Sequence, residues 1–232
     1  GAEDSRNDAL DYIRAASPPG WHNTEDPLWI SFVDHAPAML RFLETHTPLR
    51  FVPNREPDPY AELPGGKAFG RNVSARPLAV RILGSWADKL RPCAPGLRYR
   101  LRYEELVDTN IYAHPKRWML RLGPGLIWRA LTGRQTMGSG LVVGLLKGCL
   151  DQGCVIWNAS PAQMLNKSDG RVSGVEVERD GKRVRLIARK GVVLASGGFE
   201  WNQQMMLEYF PGVVEWRGSP STNTGDGHQM AA

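Results

Sequence analysis

The sequence predicts an α/β fold with α+β features, in which helices and loops precede an antiparallel β-meander and one buried strand. Three observations predict it. Apolar residues recur at helical spacing through residues 1–50, and two Asp-Gly pairs separate short runs of alternating valines in 162–187. The third is "GVVL" at 191–194, a continuous apolar run that is typical of a strand covered on both faces.

Length and composition indicate a globular protein without a membrane span. The chain has 232 residues, of which 42% are hydrophobic and 23% are charged, and no apolar run approaches the roughly 20 residues that a membrane span needs. The first ten residues have no basic segment followed by an apolar core, so we expect no signal peptide there. The three cysteines, Cys93, Cys149 and Cys154, form no CxxC pair, which favours a reduced, cytoplasmic setting.

Charge and histidine spacing argue against two classes of partner. The net charge is +5, but the basic residues are dispersed, with short clusters such as "GKRVR" at 181–185. Because no basic stripe or known module accompanies this charge, the sequence predicts a solvated surface rather than nucleic-acid binding. The five histidines show no tight ligand spacing, so the sequence predicts no metal site.

Two helices and a long loop come first. "DALDYIRAAS" predicts a helix that ends before Pro18, and a second helix is predicted with Asp26 as N-cap, Pro27 at its first position and an interruption at Pro37. Residues 51–77 are crowded with Pro and Gly, and a loop of this length in a compact domain is usually functional or disordered. Its aromatic residues argue against simple disorder.

The remaining elements become clearer towards the carboxyl end. "ELVDTNI" and "RWMLRLGPGLIWRALTG" are helix candidates, and Gly123-Pro124-Gly125 breaks the second one. "GSGLVVGLLKGCLDQG" predicts an amphipathic helix with Gly153 as its C-cap, and "CVIWNAS" predicts a strand. Turns at Asp169-Gly170 and Asp180-Gly181 then predict an antiparallel meander that leads into the strand at 191–194.

The glycines of "GSGLVVG" do not form a dinucleotide-binding fingerprint. That fingerprint follows a strand and has GxGxxG spacing, whereas no clear strand precedes Gly138 and the last glycine comes one place late. Entry into a helix and close packing explain these glycines.

Two other glycine-containing segments could contact a ligand. "ASGG" at 195–198 follows the predicted strand, and ligands of open α/β sheets lie beyond the carboxyl ends of strands. The small residues would let a cofactor approach the backbone, or they would serve a turn that needs positive φ. In "STNTGDGHQMAA", Asp226 precedes a helix predicted near His228, and its carboxylate could cap that helix or accept hydrogen bonds from sugar hydroxyls.

Together these segments resemble the flavoproteins of the fumarate reductase–succinate dehydrogenase superfamily, the FAD-dependent oxidoreductase 2 group. "GVVLASGGFEWN" followed by "SPSTNTGDGHQMA" carries the superfamily resemblance, and the "YAELPGG" loop that begins at Tyr60 points to the 3-ketosteroid Δ1-dehydrogenase branch. The resemblance implies FAD as the cofactor, a Rossmann-like FAD-binding domain and a capping domain that closes over the substrate.

The resemblance also implies site residues by position. FAD contacts are implied at the small-residue strand end, at the acidic residue of TGDG and at the backbone segment that passes the adenine. These residues are Ala195, Ser196, Gly197, Gly198, Asp226, Pro161 and Ala162. Tyr60 is implied as an active-site tyrosine that assists catalysis.

The reaction that the resemblance implies is the dehydrogenation of a 3-ketosteroid or a similar hydrophobic ketone, with proton abstraction and hydride transfer to flavin N5. The resemblance does not identify the electron acceptor.

Family members begin with GxGxxG and continue past TGDG into the capping domain. We therefore expect residues 1–232 to be an internal fragment and a partial FAD-binding domain that is inactive alone, with an insertion in 1–136 and the FAD-contacting part in 137–232. The alternatives are a fumarate reductase-like flavoprotein and a non-catalytic fragment that cannot bind FAD alone.

Overall fold

The computed structural model describes residues 4–91, 100–107, 115–210 and 212–232, which fall into two compact units, Gly1–Val155 and Ile156–Ala232. The helices of the first unit are α1 Arg6–Ala16, α2 His22–His46, α3 Tyr103–Val107, α4 Pro115–Leu131, α5 Met137–Asp151 and a 3-10 helix at Val80–Lys89. Its strands are β1 Phe51–Pro53, β2 Val73–Ala75, β3 Leu78–Ala79 and β4 Arg134–Gln135. The second unit contains β5 Ala162–Ser168, β6 Arg171–Arg179, β7 Lys182–Ile187, α6 Gln203–Tyr209 and α7 Asp226–Ala231. The predicted division at 136 and 137 stays a prediction.

Helices α1 and α2 form an antiparallel hairpin tied by two forked ion pairs. Asp26 accepts two hydrogen bonds from the Arg14 guanidinium, at 2.7 and 2.8 Å, and Arg6 binds Asp34 in the same way. The prediction of Asp26 as N-cap is therefore wrong, because α2 begins a turn earlier, after Trp21. The predicted first position of Pro27 and the predicted interruption at Pro37 are also wrong, because both prolines lie inside one continuous helix of 25 residues, each removing a single hydrogen bond.

Helix α5 packs across β2, β3 and β4 and supplies the core of the first unit. Leu49 and Val143 are fully buried, and Gly144 lets the loop before β1 approach the helix. The predicted C-cap is one residue too late: Gln152 is the C-cap of α5, and Gly153 follows it with φ at +76°. The amides of Gly153 and Cys154 donate to the carbonyls of Leu150 and Cys149, which closes the helix as a Schellman motif.

Helix α4 is continuous where a break was predicted. Pro124 lies inside it, and Gly123 and Gly125 keep a backbone without positive φ. The buried side chains of Leu122 and Arg129 fix the helix on both sides of the proline, so tertiary packing outweighs the local breaker signal. The candidate helix "ELVDTNI" is present only as part of α3, and its residues 108–111 lie outside the described residues.

The predicted meander is confirmed in the second unit. Strands β5, β6 and β7 form one antiparallel sheet in that order, with Val175 opposite Leu186 and Val177 opposite Val184. Both two-residue turns have positive φ at each central residue: 51° at Asp169, 73° at Gly170, 51° at Asp180 and 70° at Gly181. Two consecutive positive φ angles are the signature of a type I′ turn, which Asp-Gly favours.

The strands predicted at 154–160 and 191–194 are absent from the ladders of the described residues. A strand exists only where a neighbour accepts and donates backbone hydrogen bonds, and no described strand lies beside either segment. Val193 is 90% exposed, so the predicted burial on both faces is also wrong for this unit. The α/β prediction therefore holds as a mixture of helices and small antiparallel sheets. Among the described helices, none has the length and apolar character needed to cross a membrane.

Candidate functional site

The two segments that carried the family resemblance are bound to each other. Residues 197–202 and 221–227, here called the clasp, are joined through the backbone: the Gly225 N–H donates to the Gly198 carbonyl at 3.0 Å, and the Trp201 N–H donates to the Asn223 carbonyl at 3.0 Å. The Asn202 side chain donates to the Thr224 carbonyl at 3.0 Å, and its oxygen caps α6 by accepting from the Met205 N–H. The hydrogen bonds between the two segments join residues that are 22 to 27 positions apart in the sequence.

Side chains add a second layer to the clasp. The Ser196 hydroxyl oxygen accepts from the Gly227 N–H at 3.1 Å, and Asn223 Nδ2 donates to Glu200 Oε1 at 2.8 Å. Hydrogen bonds from Ser219 and Asn223 hold the pKa of the Glu200 carboxyl below its usual range. Sequence reasoning missed Glu200 and Asn223, because nothing in their spacing indicates a pair.

Backbone conformation and close packing both require glycines in the clasp. Gly197 has φ of +83°, so the positive-φ interpretation of residues 195–198 is confirmed there, and Gly225 has φ of +82°. A Cβ on Gly225 would also lie 2.5 Å from Met205 Sδ and 2.8 Å from Phe199 Cβ. A Cβ on Gly227 would collide with the Ser196 hydroxyl. The close neighbour of these glycines is therefore the other half of the clasp.

One flank of the clasp is open and borders a groove of about 650 Å³. Residues 195–197 are exposed, and the groove is lined by Pro161, Ala162 and Asp226 together with Gln163, Met164, Leu165, Lys167, Gln229 and Met230. The structure thus brings Asp226 to Pro161 and Ala162 on one side, and to Ser196–Gly198 through the clasp on the other.

Asp226 is not the N-cap of the helix that follows it. The N-cap of α7 is Gly225, and Asp226 is the first helical residue, two residues earlier than predicted. The Asp226 carboxylate accepts a hydrogen bond from the Thr224 hydroxyl at 2.8 Å and lines the groove with its remaining acceptor capacity. A carboxylate that only accepts hydrogen bonds fits the hydroxyls of a ribose or ribityl chain, while Lys167 and the two glutamine amides of the groove can donate to phosphate oxygens.

Tyr60 lies in the first unit, within a loop that spans residues 54–72 between β1 and β2. Its side chain is 55% exposed, its carbonyl accepts from the Leu63 N–H, and its N–H donates to the Tyr12 hydroxyl at 3.4 Å.

All seven predicted cofactor residues lie in the second unit. Among the described residues, no cluster of three or more His, Cys, Asp or Glu side chains is arranged to hold a metal ion.

The second unit thus contains a turn of small residues, an exposed carboxylate and an open groove beside that carboxylate, and the clasp joins the turn to the segment that carries the carboxylate. The family described as FAD binding domain matches residues 1–232. The chain therefore belongs to this family of flavoproteins, and its cofactor is FAD.

The relatives and a solved structure extend the likeness. The chain is 35% identical over 213 residues to a 3-oxosteroid 1-dehydrogenase of Mycobacterium tuberculosis, covering 85% of this chain and 38% of that protein. It is 30% identical over 239 residues to a 4-oxocyclohexanecarboxylate 2-dehydrogenase of Sinomonas cyclohexanicum, covering 100% and 39%. The structure of a 3-ketosteroid Δ1-dehydrogenase from Sterolibacterium denitrificans, in complex with 1,4-androstadiene-3,17-dione, matches with a TM-score of 0.83 at 30% identity over 99% of this chain and 44% of that one. The chain thus spans less than half the length of these proteins.

Replacing Gly225 with alanine is expected to destabilise the second unit by about 1–3 kcal/mol, because a side chain at positive φ is strained and Cβ would overlap Met205 and Phe199. Chemical denaturation with a tryptophan fluorescence readout from Trp201 measures the change. Gly218→Ala is the matched control, since no atom lies within 4 Å of the added methyl group. Equal stability of the two variants would contradict the packing described here.

Acid is expected to loosen the attachment of the Tyr60 loop to the α1 segment. Hydrogen bonds from Arg71 and Lys67 hold the pKa values of the Asp4 and Asp8 carboxyls, respectively, below their usual range. A lowered native pKa means that the stabilisation is complete above the ordinary carboxyl pKa, near pH 4, and is lost as the pH falls through the native value. Melting temperatures recorded from about pH 5 to pH 2 should therefore fall less steeply for Asp4→Asn and Asp8→Asn than for the wild type.

Proposed function

We propose that this chain is the FAD-contacting part of a dehydrogenase that introduces a carbon–carbon double bond beside the ketone of a 3-ketosteroid. The observation that carries the proposal is the clasp, because it joins the two motifs of the family resemblance and holds Asp226 beside an open groove of about 650 Å³. The names and fold of the relatives support the steroid branch.

The residues of the second unit would hold the cofactor. The exposed backbone at 195–197 would lie against it, Asp226 would accept hydrogen bonds from its hydroxyls, and Pro161 and Ala162 would line the adenine end of the groove. When bound, FAD supplies the two-electron acceptor that takes the hydride from the substrate. The clasp keeps this edge fixed, so little reorganisation is needed when the cofactor binds.

Tyr60 would assist the reaction at the ketone. Removal of a proton beside a carbonyl builds negative charge on the carbonyl oxygen, and a donor placed there stabilises the enolate. A phenol O–H is such a donor, and the exposed ring of Tyr60 is available to a molecule outside its own unit. Abstraction of the proton itself is left to a base elsewhere in the complete enzyme.

A second candidate substrate is a cyclic ketone that bears a carboxylate. The relative from Sinomonas cyclohexanicum named for 4-oxocyclohexanecarboxylate matches the whole of this chain, and the ketone chemistry is the same. A fumarate reductase-like activity and a non-catalytic role are the remaining alternatives, and the names of the relatives support neither.

The test is an activity assay of the complete protein that contains this chain. Purified protein is incubated with a 3-ketosteroid and an artificial electron acceptor. Parallel reactions contain 4-oxocyclohexanecarboxylate with the same electron acceptor, or fumarate with a reduced donor. We expect bound flavin and acceptor reduction with the steroid. A flavin-containing protein that acts only on the cyclohexane acid or on fumarate would overturn the steroid assignment, and a colourless protein would support the non-catalytic alternative.

A further inference from the structure

We propose that Asp58 and Arg71 are positioning residues that lock the backbone of the Tyr60 loop, so that the exposed phenol is presented in one place; the inference rests on the proposed function. Asp58 and Arg71, together with Asp4 and Tyr12, which contact Arg71, are here called the loop clamp. The resemblance gives a role to Tyr60 in this loop and to neither Asp58 nor Arg71.

Asp58 closes the loop on itself. Its side chain is 7% exposed, and its carboxylate oxygen Oδ2 accepts from the Lys67 N–H at 2.9 Å and from Arg71 Nη1 at 2.8 Å. The Asp58 N–H donates in return to the Lys67 carbonyl at 2.9 Å. The two ends of the segment that carries Tyr60 are therefore joined by a reciprocal pair of hydrogen bonds plus one charged contact.

Arg71 connects this closed loop to the first helix. Its guanidinium donates to both oxygens of Asp4, at 3.0 and 2.8 Å, while the side chain stays 17% exposed. The same guanidinium lies 5.3 Å from the centre of the Tyr12 ring, a cation–π distance. The Tyr12 hydroxyl is the acceptor for the Tyr60 N–H, so a continuous chain of contacts runs from Arg71 to the backbone of Tyr60.

The glycines of the loop complete its attachment. Gly65 has φ of +73°, and a Cβ there would collide with the Asp8 carbonyl of α1. A Cβ on Gly66 would lie 2.5 Å from the Ala61 carbonyl oxygen, and Lys67 Nζ binds Asp8 at 2.7 Å. The loop therefore lies directly on α1 at Gly65 and Lys67, on the carboxyl-terminal side of the tyrosine.

The combination of a fixed backbone and an exposed ring distinguishes positioning from simple stabilisation. A loop that served only to cover a core would bury its aromatic residue, whereas Tyr60 is more than half exposed. Misplacement of a catalytic group by about 1 Å can cost about 100-fold in rate. Loosening the clamp should thus lower turnover far more than it lowers substrate affinity.

The experiment compares four variants of the complete protein: Asp58→Ala, Asp58→Asn, Tyr60→Phe and Asp34→Asn. Asp58→Asn keeps an oxygen acceptor for the Lys67 N–H, and Asp34→Asn is the matched control because it weakens an ion pair of the same helical hairpin away from the loop. Two readouts are recorded: steady-state kinetics with a 3-ketosteroid, and the ¹⁹F NMR signal of fluorotyrosine introduced at position 60.

We expect Asp58→Ala to lower kcat by about 10- to 100-fold with KM changed by less than about threefold. The ¹⁹F signal should broaden or split in the same variant, Asp58→Asn should recover most of both properties, and Asp34→Asn should change neither. An unchanged kcat, or equal losses in the alanine and asparagine variants, would overturn the positioning role. If the wild type does not oxidise the steroid, the proposed function fails, and an unchanged ¹⁹F signal in Asp58→Ala would separately overturn the clamp.

Discussion

Replacing Glu105 with alanine is expected to lower the free energy of unfolding of the first unit by about 3–5 kcal/mol. Glu105 and Arg129 form a forked ion pair, with distances of 3.1 and 2.7 Å, in which each side chain is 6% exposed. The Arg102 backbone N–H and its Nε also donate to this carboxylate, at 2.9 and 3.0 Å. Removal of the carboxylate leaves the guanidinium of Arg129 buried without its charge partner, which is more costly than the pair itself is stabilising.

Urea denaturation of Glu105→Ala and of the double variant Glu105→Met with Arg129→Met separates these effects. An apolar pair of similar volume avoids the buried charge, so the double variant should lie within about 1 kcal/mol of the wild type or above it. A loss below 1 kcal/mol in Glu105→Ala would show that water reaches the pair. If the single and double variants lose the same free energy of unfolding, the shape of the two side chains, and not their charge, stabilises the first unit at this site.

Replacing Gly144 with valine is expected to destabilise the first unit by about 1–3 kcal/mol, or to prevent folding. An added Cβ would collide with the side chain of Leu49, which is fully buried and therefore has no open space to move into. It would also lie 3.1 Å from Leu78 Cδ1. Because α5 crosses three of the four short strands of this unit, displacement of the helix should disturb the whole core.

Gly138→Ala is the matched control for this variant, because it lies on the same helix with no atom within 4 Å of the added methyl group. The alanine should stabilise the helix by up to about 1 kcal/mol, the difference in helix propensity between the two residues. Opposite signs for the two substitutions, measured by thermal unfolding, are therefore expected. A destabilised Gly138→Ala, or an unchanged Gly144→Val, would contradict the packing of α5.

The sequence correctly predicted the turns and the helix end whose backbone geometry depends on a few neighbouring residues. The two Asp-Gly turns required positive φ at four residues, and the meander formed where they placed it. The Schellman motif at Gly153 is likewise decided within one turn of helix. Pro37 and Pro124 were misleading because α2 and α4 continue through them. In α4 the buried side chains of Leu122 and Arg129 fix the helix on both sides of the proline, and a single sequence does not reveal such contacts.

The segment at 191–198 shows that a single sequence does not reveal the partner of a strand either. "GVVL" has the composition of a buried strand, but a strand also needs a hydrogen-bonding neighbour, and none of the described strands lies beside it. The composition of a segment therefore does not reveal whether a hydrogen-bonding neighbour lies beside it.

The candidate site was predictable where a motif carried it and not where long-range pairing built it. The small residues at 195–198 and the carboxylate of Asp226 stood out in the sequence. The hydrogen bond between Glu200 and Asn223 and the contact between Asp58 and Arg71 join residues 23 and 13 positions apart, with no fixed spacing to mark them. Such pairs follow from the fold alone.

The affinity of the complete protein for FAD, with and without the Asp226 carboxylate, tests the central claim most directly. Flavin fluorescence titration of the stripped protein should show that Asp226→Asn weakens FAD binding by about 10- to 100-fold, the loss of a charge-assisted hydrogen bond. Asp180→Asn, in an exposed turn of the same unit, should bind as the wild type does. Equal affinity of all three proteins for FAD would contradict the assignment of the clasp and its groove as the flavin-binding edge.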